Sequence, residues 1–199
     1  MGRTVTGAAR RAQIVAAAIE TIAELGLGGA TFARIAERAG LSSTRMISYH
    51  FAGRDDLVTA VFTEIYSVAG GFIEPFVLGA TSPARQLRGV IEGNMRFYAE
   101  HRAHVLAAHE IWHNHRRADG RLHYGMDAFE LELVMLSEIA RAGWASGEFR
   151  RFDPRILHTS LRHTFNGVAG LLSTDPELDL DACTRELVAL FEGATRSLP

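Results

Sequence analysis

Apolar residues recur at helical spacing through almost the whole chain, and this periodicity constrains the fold more than any other feature. Near the N-terminus, Ile14, Ala18, Ile22 and Leu25 follow one another at the spacing that places side chains on one face of an α-helix. No stretch alternates apolar and polar residues over the length of a strand. With 47% apolar residues, the sequence predicts an all-α fold of about nine helices around a packed core.

Capping residues and prolines mark where several of these helices begin. Thr31 is placed to cap a short helix that ends near Gly40, because a threonine oxygen can accept a hydrogen bond from a free amide of the first turn. Ser82-Pro83 and Asp153-Pro154 each combine a capping residue with a proline at the first helical position. These pairs predict two further helix starts.

Two longer helices are predicted from the same signals. One extends from about residue 55 into the 70s, where Gly70-Gly71 and Pro75 should end or kink it. The other follows the turn at Asp119-Gly120 and is expected over about 121–146.

Positive charge is concentrated at the N-terminal end. Residues 1–54 contain seven Arg and three Glu, a net charge of +4, whereas the remaining residues contain 14 Arg and 20 acidic residues, a net charge of −6. A basic region on an acidic body is typical of a chain in which one domain meets nucleic acid. The charge distribution therefore separates a basic region over 1–54, a candidate for contact with nucleic acid, from an acidic body over 55–199.

The compartment is predicted from cysteine usage and from the distribution of apolar residues. Cys183 is the single cysteine, so no disulfide can form within the chain. No uninterrupted run of about 18 apolar residues occurs, and no signal-like segment precedes Arg10 and Arg11. The sequence predicts a cytoplasmic protein without a membrane partner.

The basic region has the layout of a helix-turn-helix. A short helix from Thr31 is followed by a tight turn at Gly40 and by a second short helix from Ser43 to about His50. In this motif the second helix enters the major groove of DNA. We expect Ser43, Thr44, Arg45 and Ser48 to read bases, and Thr31, Tyr49, His50 and Arg54 to hold phosphates.

The segment TFARIAERAGLSSTRMISYHFAGRDDL, with its flanks, resembles the DNA-binding segment of the TetR (TetR/AcrR) family of transcriptional regulators. The resemblance covers about residues 10–62. Arg54 stands where that family usually has Lys, and the interval from Gly40 to His50 is one residue longer than its commonest form. Matching positions are Thr31, Ile35, Ala36, Ala39, Gly40, Tyr49, His50, Phe51, Asp55 and Leu57.

The resemblance implies that residues from about 55 onward form a ligand-binding and dimerisation body. It also implies a repressor that a small-molecule effector releases from its operator. Two apolar stripes fit a four-helix interface between two copies of the chain, and a homodimer would match a palindromic operator. The predicted interface residues are Leu157, Leu161, Phe165, Val168, Leu172, Leu187, Leu190 and Phe191.

Aromatic and histidine side chains on the central helices are candidates for lining the effector pocket, because such pockets are largely apolar with few polar groups. The candidates are Phe62, Tyr66, Phe97, Tyr98, His109, Trp112, His113, Phe129 and Trp144. No cofactor is expected, and the sequence does not identify the effector.

The string HEIWH at 109–113 matches the H-E-x-x-H pattern of zinc peptidases, in which two histidines bind the metal and the glutamate acts as base. Asp119 is the available third ligand, but Arg116 stands where the compact form of that pattern has glycine. Two alternatives to the effector-released repressor therefore stay open at this point. One is a metal-responsive regulator that uses the histidine-rich stretch 101–123, and the other, less favoured, is a zinc peptidase.

Overall fold

A computed structural model describes residues 2–197 and, from residue 7 onward, their side chains. This part of the chain contains nine α-helices and one 3-10 turn, and it has no strand. The all-α prediction is confirmed. The helices are α1 (Gly2–Gly29), α2 (Phe32–Arg38), α3 (Arg45–His50), α4 (Arg54–Leu78), α5 (Pro83–Glu100), α6 (Arg102–Asn114), α7 (Glu130–Ser146), α8 (Pro154–Thr174) and α9 (Leu180–Thr195); the 3-10 turn spans Met126–Phe129.

The predicted helix starts are confirmed by their capping geometry. The side chains of Thr31 and Ser82 accept hydrogen bonds from backbone amides of the first turn, both at 3.4 Å. Asp153 Oδ1 accepts from the amide of Arg155 at 2.9 Å. Asp179, which was not among the predicted starts, caps α9 in the same way by accepting from the amide of Ala182 at 2.8 Å. Each cap satisfies an amide that has no partner inside its helix.

The helix α4 extends from Arg54 into the 70s as predicted, but Gly70-Gly71 and Pro75 do not end it, and it continues to Leu78. Its last turns are held by close packing on α5. A Cβ atom on Gly89 would lie 2.3 Å from the carbonyl oxygen of Phe76, so the two backbones meet where only glycine fits. This tertiary contact outweighs the local cost of glycine and proline in a helix.

The long helix predicted over 121–146 begins late. Residues 115–123 instead form a hairpin-like turn, in which the His123 amide donates to the His115 carbonyl at 2.8 Å. Gly120 adopts a φ of +80° at its tip, and the amide of Arg121 donates to Asp119 Oδ1 at 3.0 Å. The regular helix α7 therefore starts only at Glu130, after the 3-10 turn.

The chain divides into two compact units. The first comprises the chain up to Val68 together with Ala103–His123, and the second comprises Ala69–Arg102 with Tyr124 onward. The first unit is built around fully buried isoleucines from five helices: Ile14, Ile22, Ile35, Ile47, Ile65 and Ile111. The functional boundary at residue 54 stays a prediction.

In the second unit α5 packs against α9 and α7 packs against α8. The backbone of α7 comes close to the ring of Phe149 at Gly143, where a Cβ atom would meet that ring at 2.0 Å. The core of the second unit contains side chains that are almost completely buried from solvent: Leu87, Ile91, Met95, Leu136, Leu161 and Phe165.

The predicted dimer stripe on α8 requires a correction. Its five residues are buried within a single copy of the chain, as is Phe191 on α9. They form the core of the second unit, so they are not available to a partner. Leu187 is half-buried, and Leu190 is the one member of the predicted set that is largely exposed, at 61%. The buried residues are Leu157, Leu161, Phe165, Val168, Leu172 and Phe191.

Two helical segments, Gly7–Gly29 and Arg54–Leu78, are long and apolar enough to span a membrane by length and composition alone. Core helices of soluble proteins meet the same criterion, so the finding is weak. The absence of a membrane partner stays a prediction.

A charged cluster is buried in the second unit between α7 and α8. Glu132 on α7 accepts hydrogen bonds from the guanidinium of Arg162, and His158 Nε2 lies 3.4 Å from the same carboxylate. The Arg162 guanidinium also lies over the ring of Phe129, 4.3 Å from its centroid. Burial by itself would raise the pKa of Glu132, but the His158 hydrogen bond and the charge and hydrogen bonds of Arg162 outweigh it, so the pKa lies below its ordinary value.

Because the folded pKa of Glu132 is depressed, the unfolded chain takes up a proton first as the pH falls. The carboxylate therefore stabilises the fold above the ordinary value of 4.5, and this contribution is lost as the pH falls further towards the folded pKa. We expect Glu132→Gln to lower the free energy of unfolding at pH 7 by about 3 kcal/mol, since it leaves Arg162 buried without its counter-charge. Urea unfolding of both proteins between pH 7 and pH 3.5 measures this difference.

The control is Glu130→Gln, which changes an exposed carboxylate of the same helix. It should leave the free energy of unfolding within about 0.5 kcal/mol of the unmodified protein. A Glu132→Gln penalty that is as large at pH 3.5 as at pH 7 would contradict the assignment.

Candidate nucleic-acid interface

The turn between α2 and α3 is built as a helix-turn-helix requires. Gly40 has a φ of +63°, a left-handed conformation that glycine adopts without strain. The amide of Leu41 donates to the carbonyl of Ala36 at 2.8 Å and closes the end of α2. Gln13 on α1 donates from Nε2 to the carbonyl of Ala39 at 2.7 Å. The turn is therefore held by hydrogen bonds to α1 as well as to α2.

The orientation of α3 is set by one side chain. Ile47 is completely buried, whereas its neighbours on the helix face solvent. Because successive residues of a helix are rotated by roughly 100°, burial of Ile47 turns Arg45 and Tyr49 outward on the opposite side. All four side chains predicted to read bases are exposed: Ser43, Thr44, Arg45 and Ser48.

The start of α3 differs in detail from the prediction. The helix begins at Arg45, and Thr44 occupies the capping position without a side-chain hydrogen bond. Ser43 Oγ instead accepts from the amide of Arg45 at 3.1 Å. Ser43 thus fixes the backbone just before α3. Its hydroxyl group can still donate its own hydrogen to a base.

The side chains predicted to hold phosphates differ in how exposed they are and in whether they already form a hydrogen bond. Tyr49 is 75% exposed, and its ring meets that of half-buried His50 edge to face at 5.1 Å. Thr31 is exposed, but its oxygen already accepts the capping hydrogen bond. These roles remain predictions.

Arg54 has a structural role that the sequence did not indicate. Its guanidinium donates to the carbonyl of Leu27 and, at 3.2 Å, to that of Ala30. These are carbonyls at the end of α1, which a helix leaves without partners. Arg54 therefore joins the end of α1 to the start of α4. Only those N–H groups of its guanidinium that do not donate to these carbonyls are left for a phosphate.

Other arginines of the basic region differ in how far their charge is compensated. Arg38 forms ion pairs with Glu20 and Glu24. Arg10 donates to the neutral amide oxygen of Gln13 at 2.8 Å, and the Arg11 guanidinium lies 4.7 Å from the centroid of the Phe51 ring. Positive charge on Arg10 and Arg11 is thus not cancelled by these contacts, which suits attraction of this part of α1 to a phosphate backbone.

The predicted pocket residues are divided between the two units, and the effector pocket stays a prediction. In the second unit Tyr98 donates its hydroxyl to the carbonyl of Phe165 at 3.1 Å, Phe97 stacks on His101, and the Trp144 ring contacts Phe152. Those in the first unit are Phe62, Tyr66, His109, Trp112 and His113, and those in the second are Phe97, Tyr98, Phe129 and Trp144.

A cavity of about 110 Å³ lies in the first unit, lined by residues outside the predicted set. It is smaller than the roughly 300–1,000 Å³ of sites for drug-sized ligands. Its lining residues are Ala12, Ala16, Ile19, Glu20, Glu64 and His104.

The HEIWH string has a structural explanation. His109 and His113 do share one face of α6, with ring centroids 4.5 Å apart. Glu110, however, uses its carboxylate to accept the amide of Leu27 at 3.0 Å and the side-chain amide of Asn114 at 3.1 Å. The amide belongs to the kink of α1 at Gly26, where φ is +69°. The glutamate that a peptidase would use as a base thus accepts a hydrogen bond from the backbone of α1.

The metal alternatives find no support in the part of the chain that the structure describes. It contains no group of three or more His, Cys, Asp or Glu side chains placed to hold a metal ion. Asp119, the predicted third ligand, caps its own turn. Burial lowers the pKa of His109, and the positive charge that His113 would carry lowers it further, against a smaller opposing effect of Glu110.

Loss of the Glu110 carboxylate should destabilise the first unit. We expect Glu110→Ala to lower the free energy of unfolding by about 1–3 kcal/mol, because the amide of Leu27 loses its acceptor. Glu110→Gln keeps an oxygen acceptor and should cost less. Equilibrium urea unfolding of the two variants and the unmodified protein tests this order.

Asn114→Ala is the control, since it removes the second donor and leaves the bond between Glu110 and the Leu27 amide in place. Its effect should be smaller than that of Glu110→Ala. Equal stability of Glu110→Ala and the unmodified protein would contradict the anchoring role.

Comparisons with known proteins agree with this geometry. The sequence profile of the family described as "Bacterial regulatory proteins, tetR family" matches residues 14–61. The HTH-type transcriptional regulator BetI 1 of Chromohalobacter salexigens is 38% identical over 86 residues, which are 43% of this chain and 42% of that protein. BetI of Cronobacter sakazakii is 31% identical over 119 residues, 57% of each chain. The matches thus span about half the length of these relatives.

Solved structures share the fold over a longer stretch. The fatty acid degradation regulator FadR from Bacillus halodurans superimposes with a TM-score of 0.77 and 23% identity, over 92% of this chain and 98% of that one. FadR from Bacillus subtilis, solved in complex with stearoyl-CoA, gives a TM-score of 0.74 and 23% identity, over 89% and 95%. Residues 14–61, which contain the helix-turn-helix, thus match the tetR family of bacterial regulatory proteins, and the chain shares the all-α fold of these solved regulators.

Proposed function

We propose that this chain is a homodimeric transcriptional repressor that binds a palindromic operator and is released by a small-molecule effector. The observation that carries the proposal is α3 itself. Burial of Ile47 turns a short, polar helix outward from a basic helix-turn-helix. The proposal places the protein in the cytoplasm, where its DNA lies, and assigns it no enzymatic activity.

Base reading would begin with Arg45, the first residue of α3. Its guanidinium is exposed and can donate two hydrogen bonds to the edge of a guanine. Ser43, Thr44 and Ser48 offer hydroxyls to neighbouring bases. Tyr49 and His50, at the opposite end of the same helix, would contact phosphates.

The corrected dimer face lies beside the buried stripe of α8 rather than on it. Ile156 and Leu171 on α8 are 67% and 54% exposed, and Leu190 on α9 is 61% exposed. Gly167 on α8 and Gly193 on α9 lie among them, are exposed, and leave open space around their Cα atoms. Exposed apolar side chains next to glycines suit close packing of helices from two copies.

The effector is proposed to be a small molecule that binds among the helices of the body. One relative in fold, FadR from Bacillus subtilis, was solved with stearoyl-CoA. Binding would favour an arrangement of the two DNA-binding regions that no longer fits the spacing of two half-sites, a shift between two populations.

Selection of bound duplexes from a random DNA library tests the DNA-binding proposal. We expect the purified full-length protein to enrich an inverted repeat, with binding that weakens as salt increases. Arg45→Ala should weaken binding to the selected duplex by about tenfold to a hundredfold, because one bidentate base contact is lost in each half-site. Fluorescence anisotropy with the labelled duplex measures the dissociation constants.

The matched control for Arg45→Ala is Arg96→Ala, which removes an exposed arginine of α5 that is paired with Glu100. It changes the net charge equally and should alter the dissociation constant by less than about threefold. The proposal fails if no sequence is enriched even at low salt.

The dimer face is tested by placing a charge on it. We expect the double substitution Ile156→Glu with Leu190→Glu to convert the dimer to a monomer in sedimentation experiments, since two copies would then bury like charges. Leu131→Glu is the control, because Leu131 is 87% exposed on α7, outside the proposed face. A double variant that sediments as the unmodified dimer would show that the interface lies elsewhere.

A further inference from the structure

The exposed face of α3 carries one apolar side chain that polar readout does not explain. Within residues 31–54, the large apolar or aromatic side chains that are exposed are Met46, at 42%, and Tyr49, at 75%. Tyr49 has a hydroxyl that can meet a phosphate, whereas Met46 has neither a strong donor nor a charge. Met46 is therefore available to an apolar group of a partner that α3 meets.

The position of Met46 along the helix decides which partner it can meet. Met46 is the second residue of α3, and the N-terminal residues of a recognition helix are the ones that approach base edges. Rotation of roughly 100° per residue places it on the flank between buried Ile47 and outward-facing Arg45. It thus lies beside the guanidinium proposed to read a guanine, at the end of the helix that enters the groove.

The major groove offers one apolar group to such a side chain, the C5-methyl group of thymine. Methionine suits this contact because its unbranched, polarisable thioether adapts to the surface that it meets. We infer that Met46 is a specificity-determining residue that packs against a thymine methyl group in each half-site, next to the base pair read by Arg45. This inference rests on the proposed DNA binding and adds a feature of the operator to it.

Deoxyuridine provides a direct test, because it lacks the C5-methyl group of thymine and keeps the same base pairing. In the duplex selected by the full-length protein, each thymine is replaced singly by deoxyuridine, at equivalent positions of both half-sites. We expect one position at which the unmodified protein loses about fourfold in affinity per half-site, the effect of one buried methyl group. At that position Met46→Ala should bind the thymine and deoxyuridine duplexes equally.

Two variants complete the test. Met46→Leu keeps an apolar side chain and should retain most of the preference for thymine. Leu25→Ala removes a side chain of α1 that is 41% exposed and lies outside the helix-turn-helix, so it should leave the deoxyuridine effect unchanged. Thermal melting confirms that each variant is folded, which is expected because Met46 is not part of the core.

The outcomes separate the inference from the function on which it rests. An enriched duplex with a deoxyuridine effect that disappears in Met46→Ala supports the inference. An enriched duplex with no thymine position that distinguishes the two proteins overturns the inference and leaves the DNA-binding function standing. Failure to enrich any duplex at low salt overturns both.

Discussion

The short segment at the end of α1 is held by side chains from two distant helices, and the geometry of the first unit depends on this arrangement. Glu110 accepts the amide of Leu27, while Arg54 donates to the carbonyls of Leu27 and Ala30. The kink at Gly26 leaves the Leu27 amide without a helical partner, and the end of α1 leaves the two carbonyls without one. A buried polar group without a partner costs about 1–3 kcal/mol. Once the segment is fixed, the cap at Thr31 can start α2, and the turn that follows presents α3.

The orientation of α3 likewise depends on few contacts, because the single buried side chain of Ile47 determines which face of the helix is exposed. Six residues are too few to form a stable helix alone, so α3 depends on the packing of Ile47 in the core of its unit. Packing of that residue is what turns Arg45 and its neighbours towards solvent. The helix that we propose to enter a DNA groove is thus positioned by an apolar contact, and its exposed polar groups remain available for a partner.

Two sequence patterns proved to have roles other than the ones that their spacing suggests. The stripe through Leu161 and Phe165 has the spacing of a dimer interface, yet it fills the core of the second unit. Periodicity indicates that a face is buried, but it does not indicate whether the same chain or another copy covers it. Likewise, HEIWH has the spacing of a zinc site, whereas contact with the Leu27 amide gives Glu110 a structural role. That partner lies 83 positions away, and no local motif could reveal it.

The sequence by itself determined the helical class, the capped helix starts at Thr31, Ser82 and Asp153, and the helix-turn-helix, because these depend on local backbone chemistry and on the spacing of apolar residues. Only the tertiary structure decided that α4 runs past Pro75, where close contact with Gly89 holds its last turns. It also decided that the polar side chains of α3 are exposed, whereas those of Arg54 and Glu110 are engaged by backbone groups elsewhere in the chain. Such pairings depend on contacts between residues far apart in sequence, and those contacts exist only in the folded chain.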